Sequence, residues 1–179
     1  MIARWRAARR RPRAAAVVTM ITAGALVAAM FVPVWPALSI HPDGASAGHE
    51  RITAGEQFGL SFVHSVDHLP VEDWYRVDGA DIVQESTRLR QFGAGMGHIA
   101  GVGRGHDAGD WWEITGMERH IGELVVRVGS AGVDHQLHLG DRRIPLTRCW
   151  AGQRVTVSAT RISTLRVLTS HLQPSACEP

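Results

Sequence analysis

Residues Glu56 to Asp78, EQFGLSFVHSVDHLPVEDWYRVD, decide the fold of this chain, because they read as a β-hairpin with one apolar and one mixed face. Before the turn, Phe58, Leu60, Phe62, His64 and Val66 share one side by the two-residue period of a strand, and Gly59, Ser61, Val63 and Ser65 share the other. After it, Val71, Asp73, Tyr75 and Val77 alternate with Glu72, Trp74, Arg76 and Asp78. A four-residue loop, Asp67 to Pro70, sets Val66 opposite Val71, His64 opposite Asp73, Phe62 opposite Tyr75 and Leu60 opposite Val77. This register gathers the large apolar side chains on one face and puts an imidazole against a carboxylate within it. A slip of one residue would mix the faces.

Working outward, Asp78-Gly79 marks a turn, and Ala80 to Leu89 supplies a third strand that pairs back on the second. Gly93 to Gly109, GAGMGHIAGVGRGHDAG, is too poor in side chains to pack as a regular element and reads as a functional loop. Strands are expected at Trp111 to Thr115, Glu123 to Val128, His135 to Leu139, Arg142 to Leu146, Arg154 to Ala159 and Ile162 to Leu168, separated by turns such as Gly140-Asp141. Many short strands at this spacing predict a mainly β domain, an antiparallel β-sandwich or barrel. The six Trp read chiefly as core or rim, with Trp111, Trp112 and Trp150 as alternatives for a ligand groove.

The N-terminal end is different in kind. Arg4, Arg6, Arg9, Arg10, Arg11 and Arg13 lead into AAAVVTMITAGALVAAMFVPVW, which carries no Asp, Glu or Arg until Asp43. About twenty apolar residues span a bilayer core. The sequence therefore predicts a basic cytoplasmic tail at 1–13, a signal-anchor or signal-peptide helix at 14–37, a linker at 38–50, an extracytoplasmic β-domain at 51–172 and a C-terminal tail at 173–179. Positive charge ahead of the apolar run places the N-terminus inside and the β-domain outside a cell membrane crossed once. Ala45-Ser46-Ala47 is a passable cleavage site, although it lies well beyond the apolar run, so an anchor is preferred to a cleaved signal.

All nineteen basic residues are Arg, and from Gly48 onward thirteen of them face sixteen Asp and Glu. The β-domain is thus mildly acidic and has no basic stripe, which argues against nucleic acid as a partner. Cys149 and Cys177 both lie in the part expected to be exported, where an oxidising compartment permits a disulfide between them; a buried Cys149 with a free C-terminal Cys177 is the alternative.

The candidate polar cluster is His64, Ser65, Glu72, Asp73 and Tyr75 on the hairpin, with Gly93 and Gly95 allowing close backbone approach beside it. Its expected role is ligand contact or structural support. A Ser-His-Asp triad is disfavoured because Ser65 points away from His64 by the two-residue period. His64, His68 and Asp73 are weak metal candidates, since a zinc site needs three or four ligands at one point. The Gly-rich stretches lack the following helix that a phosphate loop requires, so no cofactor is expected and the chain is not read as an enzyme.

His64-Ser65-Val66, Pro70-Val71-Glu72 and Gly93-Ala94-Gly95, in this order behind an apolar N-terminal segment, resemble the bacterial and archaeal family catalogued as domain of unknown function 1850. Family members often continue the last motif with Leu-Pro, where this chain has Met96-Gly97. The resemblance implies no activity. It implies genomic company, because such proteins are often encoded beside tripartite TRAP-type transporters. The expected partners are accordingly the membrane and a transporter permease or substrate-binding protein.

Overall fold

The computed structural model describes residues 11–44, 46–53, 55–90 and 102–169. A helix, α1 (Arg11–Ala29), passes through a turn at Met30–Val32 directly into a strand, β1 (Pro33–Pro42). The helix stops because its last turn tightens, with Phe31 N–H donating to Ala28 O at 3.1 Å, and because Pro33 disfavours a helical residue before it. The order then runs β2 (Gly48–Arg51), β3 (Gln57–Val63), β4 (Pro70–Asp78), β5 (Asp81–Leu89), β6 (Arg104–Asp107), β7 (Trp112–Thr115), β8 (Arg119–His120), β9 (Glu123–Arg127), β10 (Gln136–Leu139), β11 (Arg142–Ile144), α2 (Leu146–Trp150), β12 (Arg154–Ser163) and α3 (Thr164–Thr169).

The strands form two antiparallel sheets, one in the order β2-β1-β12-β9 and the other β11-β10-β3-β4-β5-β7-β6, with β8 beside β5. One hydrophobic core joins them: Leu38, Ile40, Leu124, Val126, Val155 and Val157 from the smaller sheet meet Phe58, Leu60, Ile82, Leu137 and Leu139 from the larger. Leu146 and Trp150 of α2 close this core. The chain is therefore mainly β, as its strand-rich sequence predicts. No described helix is long and apolar enough to cross a membrane.

Several segment boundaries need correction. Residues 38–50, expected as a linker, instead hold the second half of β1 and most of β2, and Ala37 and Leu38 are fully buried. The apolar helix ends at Ala29 rather than near residue 37, so the β-domain begins at Pro33. The prolines of β1 sit where a missing N–H does little harm: Pro33 and Pro42 end the strand, and Pro36 precedes the residues that β2 pairs. The two strands expected at 154–159 and 162–168 are one strand followed by α3, and Leu146 begins a helix. Within the expected glycine loop, Arg104–Asp107 forms β6, while residues 91–101 lie outside the described residues. So does the tail at 173–179.

The central hairpin forms with its faces as expected and its register displaced. Phe58 pairs with Tyr75, Leu60 with Asp73 and Phe62 with Val71, which moves each partner by four positions. An even displacement keeps every side chain on its own face. The turn is again four residues long but comes earlier, at Ser65–His68. His64 N–H donates to Leu69 O at 2.9 Å, His68 N–H donates to His64 O at 2.9 Å, and His68 takes φ +56. A histidine tolerates this left-handed position better than the β-branched or apolar residues around it.

Candidate functional site

The register decides which of the predicted residues meet. His64 is not opposite Asp73; its Nδ1 lies 3.3 Å from Asp67 Oδ2, within the turn. Ser65 and His68 are exposed at the same turn. Glu72 lies on the outer face of the larger sheet, where it accepts a hydrogen bond from Arg88 Nε at 2.8 Å and faces Ser61 across the strand pair. Asp73 and Tyr75 do come together, on the inner face. Gly93 and Gly95 lie outside the described residues. Among the described residues, no group of three or more His, Cys, Asp or Glu is placed to hold a metal ion, so His64, His68 and Asp73 do not assemble into one. Cys149 is disulfide-bonded and packs against the core, and Cys177 lies outside the described residues.

Asp73 is a carboxylate set into the interior. Gln84 Nε2 donates to its Oδ1 at 3.3 Å, and the hydroxyls of Thr87 and Tyr75 also donate to it. Burial pushes its pKa above the ordinary carboxylate value, and the three donors only partly offset this. The Tyr75 phenol is pushed up in turn, first by burial and then by the charge of Asp73. The Tyr75 ring stacks on Phe58 with centroids 5.3 Å apart, so the strand pairing itself positions the hydroxyl. Tyr75 and Gln84 are buried and Thr87 is half-buried, which makes the group a structural polar centre.

The outer face of the same sheet is the second concentration of chemistry. Register brings Gly59 opposite Trp74, Ser61 opposite Glu72, and Arg88 between Glu72 and Glu113. A bulge at Trp74/Tyr75 shifts the pairing of β5, so that Glu85 has no opposite partner and Ser86 faces Trp74. Glu85 accepts from Arg76 Nε at 2.8 Å and from Gln57 Nε2 at 2.6 Å, and Arg76 reaches Glu118 at 2.8 Å. Gln57, Trp74, Glu85, Ser86, Arg88 and Glu113 are among the side chains that border an open groove of about 510 Å³.

Next to Trp74, Ser61 Oγ lies 2.7 Å from Nε2 of His138, and burial followed by the charge of Arg143 lowers the pKa of that imidazole. These residues were not among the sequence candidates. Period-two reading already places Gly59, Ser61 and Trp74 on one face, but His138 joins them only through the pairing of β10 with β3. His135, three residues earlier, does something else: it stacks on Phe62 at 5.3 Å and accepts the Gly129 N–H at Nδ1. Its pKa is lowered by burial.

A family model described as Domain of unknown function (DUF1850) matches residues 58–146. The chain belongs to this family. The matched span runs from β3 to the first residue of α2 and contains both the buried Asp73 centre and the Trp74 face, whereas β1, β2 and β12 of the smaller sheet fall outside it. No curated protein and no solved structure matches the chain.

Proposed function

We propose that this chain is an exported β-domain held at a membrane by α1, and that it works by binding, as an accessory of a solute transporter. The observation that carries this reading is the apolar surface of α1. Val18, Met20, Ile21, Leu26 and Val27 are all more than half exposed, and Phe31 and Val32 continue the exposed stretch up to β1. A helix that is apolar on every side requires an apolar surrounding, and the β-domain does not provide one. The uncharged part of α1, residues 14–29, spans roughly 24 Å at helical rise, short of the ~30 Å of a hydrocarbon core, and the exposed Phe31 and Val32 extend its apolar surface.

Two further points support it. Arginines crowd the N-terminal side of the apolar run, which favours retention of that end in the cytoplasm. The disulfide at Cys149 fits an oxidising compartment on the other side. The transporter, as its permease or its substrate-binding protein, enters from the genomic company that family resemblance implies.

The test is fractionation of the full chain with and without Ile21→Arg, which costs roughly 2.5–3.5 kcal/mol at the centre of an inserted helix. Wild type remains in membranes washed with alkaline carbonate, and the variant is released. Equal release of both sinks the membrane reading. Failure of the washed, gently solubilised chain to co-purify with a neighbouring permease or binding protein sinks the transporter part alone.

A further inference from the structure

A glycine on the outer face of the larger sheet carries a tryptophan in an unusual way. A Cβ built at Gly59 would stand 3.2, 3.3 and 3.3 Å from Cζ3, Cε3 and Cη2 of Trp74. Three consecutive ring atoms at nearly equal distance mean that the point lies over the ring, since an edge-on ring would leave the outer two well beyond the nearest. Cβ bonds stand away from the sheet, so the indole lies flat on the backbone of β3, and its opposite face is turned outward. Trp74 is only half-buried, and it borders the groove described above.

We propose that this groove binds a neutral saccharide, with the outward face of Trp74 as the stacking platform. An indole face offers apolar area to the C–H face of a pyranose at little cost in side-chain order. Around it, Gln57 and Ser86 can each donate and accept, Arg88 donates, and Glu85 and Glu113 accept, which is the mixture that sugar hydroxyls need. The volume, about 510 Å³, lies within the ~300–1,000 Å³ of small-ligand sites.

Charge argues against the competing occupants. Glu85 and Glu118 already share Arg76, and Arg88 is held by Glu72, so an ionic ligand must compete with pairs already formed. The lining holds Glu85, Glu113 and Glu118 against Arg88, which repels a nucleotide phosphate. For an organic cation the described residues supply one aromatic wall, where recognition of quaternary ammonium uses a cage. Hydroxyl groups can bond to ion-paired carboxylates through their remaining lone pairs without breaking the pairs. The proposal goes beyond the membrane reading and does not depend on how the chain is tethered.

The experiment is calorimetric titration of the full chain, in a detergent without a sugar head group, with cellotriose, maltotriose and chitotriose, and with choline and adenosine monophosphate as comparison arms. At least one trisaccharide binds saturably, Trp74→Ala weakens it roughly tenfold or more, and Gly59→Ala, which shifts the indole by a few tenths of an ångström, weakens it by a smaller factor of about two or more. Trp35→Ala, which removes an exposed ring on the smaller sheet away from the groove, changes affinity by less than about twofold. If Gly59→Ala fails to fold, Trp74→Ala and Glu113→Gln carry the test, both on the solvent face. No binding of any trisaccharide up to roughly 10 mM, binding that survives Trp74→Ala, or tighter binding of choline or adenosine monophosphate overturns the proposal.

Discussion

Replacing Tyr75 by Phe removes one hydroxyl from the buried Asp73 centre and leaves the ring on Phe58, so it isolates a single hydrogen bond to a carboxylate. Tyr75 is 4% exposed, and no water replaces its hydroxyl at low cost. A hydrogen bond to a charged group contributes about 1.5–3 kcal/mol, and one to a neutral group about 0.5–1.5 kcal/mol. The substitution therefore destabilises by roughly 2 kcal/mol at neutral pH and by about 1 kcal/mol once Asp73 is protonated. The difference corresponds to a further rise of nearly one unit in the pKa of Asp73.

The sign follows from linkage. Burial raises the folded pKa of Asp73 above its unfolded value near 3.9, so the native state takes up a proton first. Its contribution to stability is fully present below the unfolded pKa and is lost as pH rises through the folded one. Urea unfolding of the full chain and of Tyr75→Phe, at neutral pH and below the unfolded carboxylate value of about 3.9, reads the gap from the two midpoints at constant m. A gap that narrows on acidification supports the assignment. A gap of the same size at both pH values, or one below ~0.5 kcal/mol at neutral pH, refutes it.

Two other outcomes follow from the same structure. Thiol titration of the unfolded, unreduced chain finds no free thiol, and Cys149→Ser lowers stability by about 2–4 kcal/mol, measured as the midpoint of urea unfolding. His135, held neutral by burial, contributes stability that is present above its unfolded pKa of ~6.5 and is lost as pH falls towards its lowered folded pKa. His135→Gln keeps an acceptor for the Gly129 N–H and flattens that part of the stability profile, which melting curves across the acid range would show.

Local pattern made the faces of the central hairpin legible, because side-chain alternation survives any even displacement of register. It did not locate the turn. Two four-residue loops, Asp67–Pro70 and Ser65–His68, satisfy the same alternation, and the choice rests on which residue takes positive φ. The wrong loop also hid the outer-face platform, because it set Trp74 opposite Val63 instead of Gly59. Segment 38–50 was misread for a different reason: its small, polar and turn-rich residues look like a linker until β12, more than a hundred residues later, pairs with β1. His138 is reached in the same non-local way, through the β10–β3 pairing. Helices of five and six residues are too short to display a period at all.

The most direct test of the central reading is the sidedness of the β-domain. In spheroplasts of a bacterial host expressing the full chain with an epitope placed after residue 179, protease is added outside before and after lysis, and the epitope is followed in the membrane fraction. The epitope is expected to stay with membranes through alkaline carbonate and to be lost to external protease while the cells are intact. An epitope that is protected until lysis, or that is found in the soluble fraction, contradicts that reading.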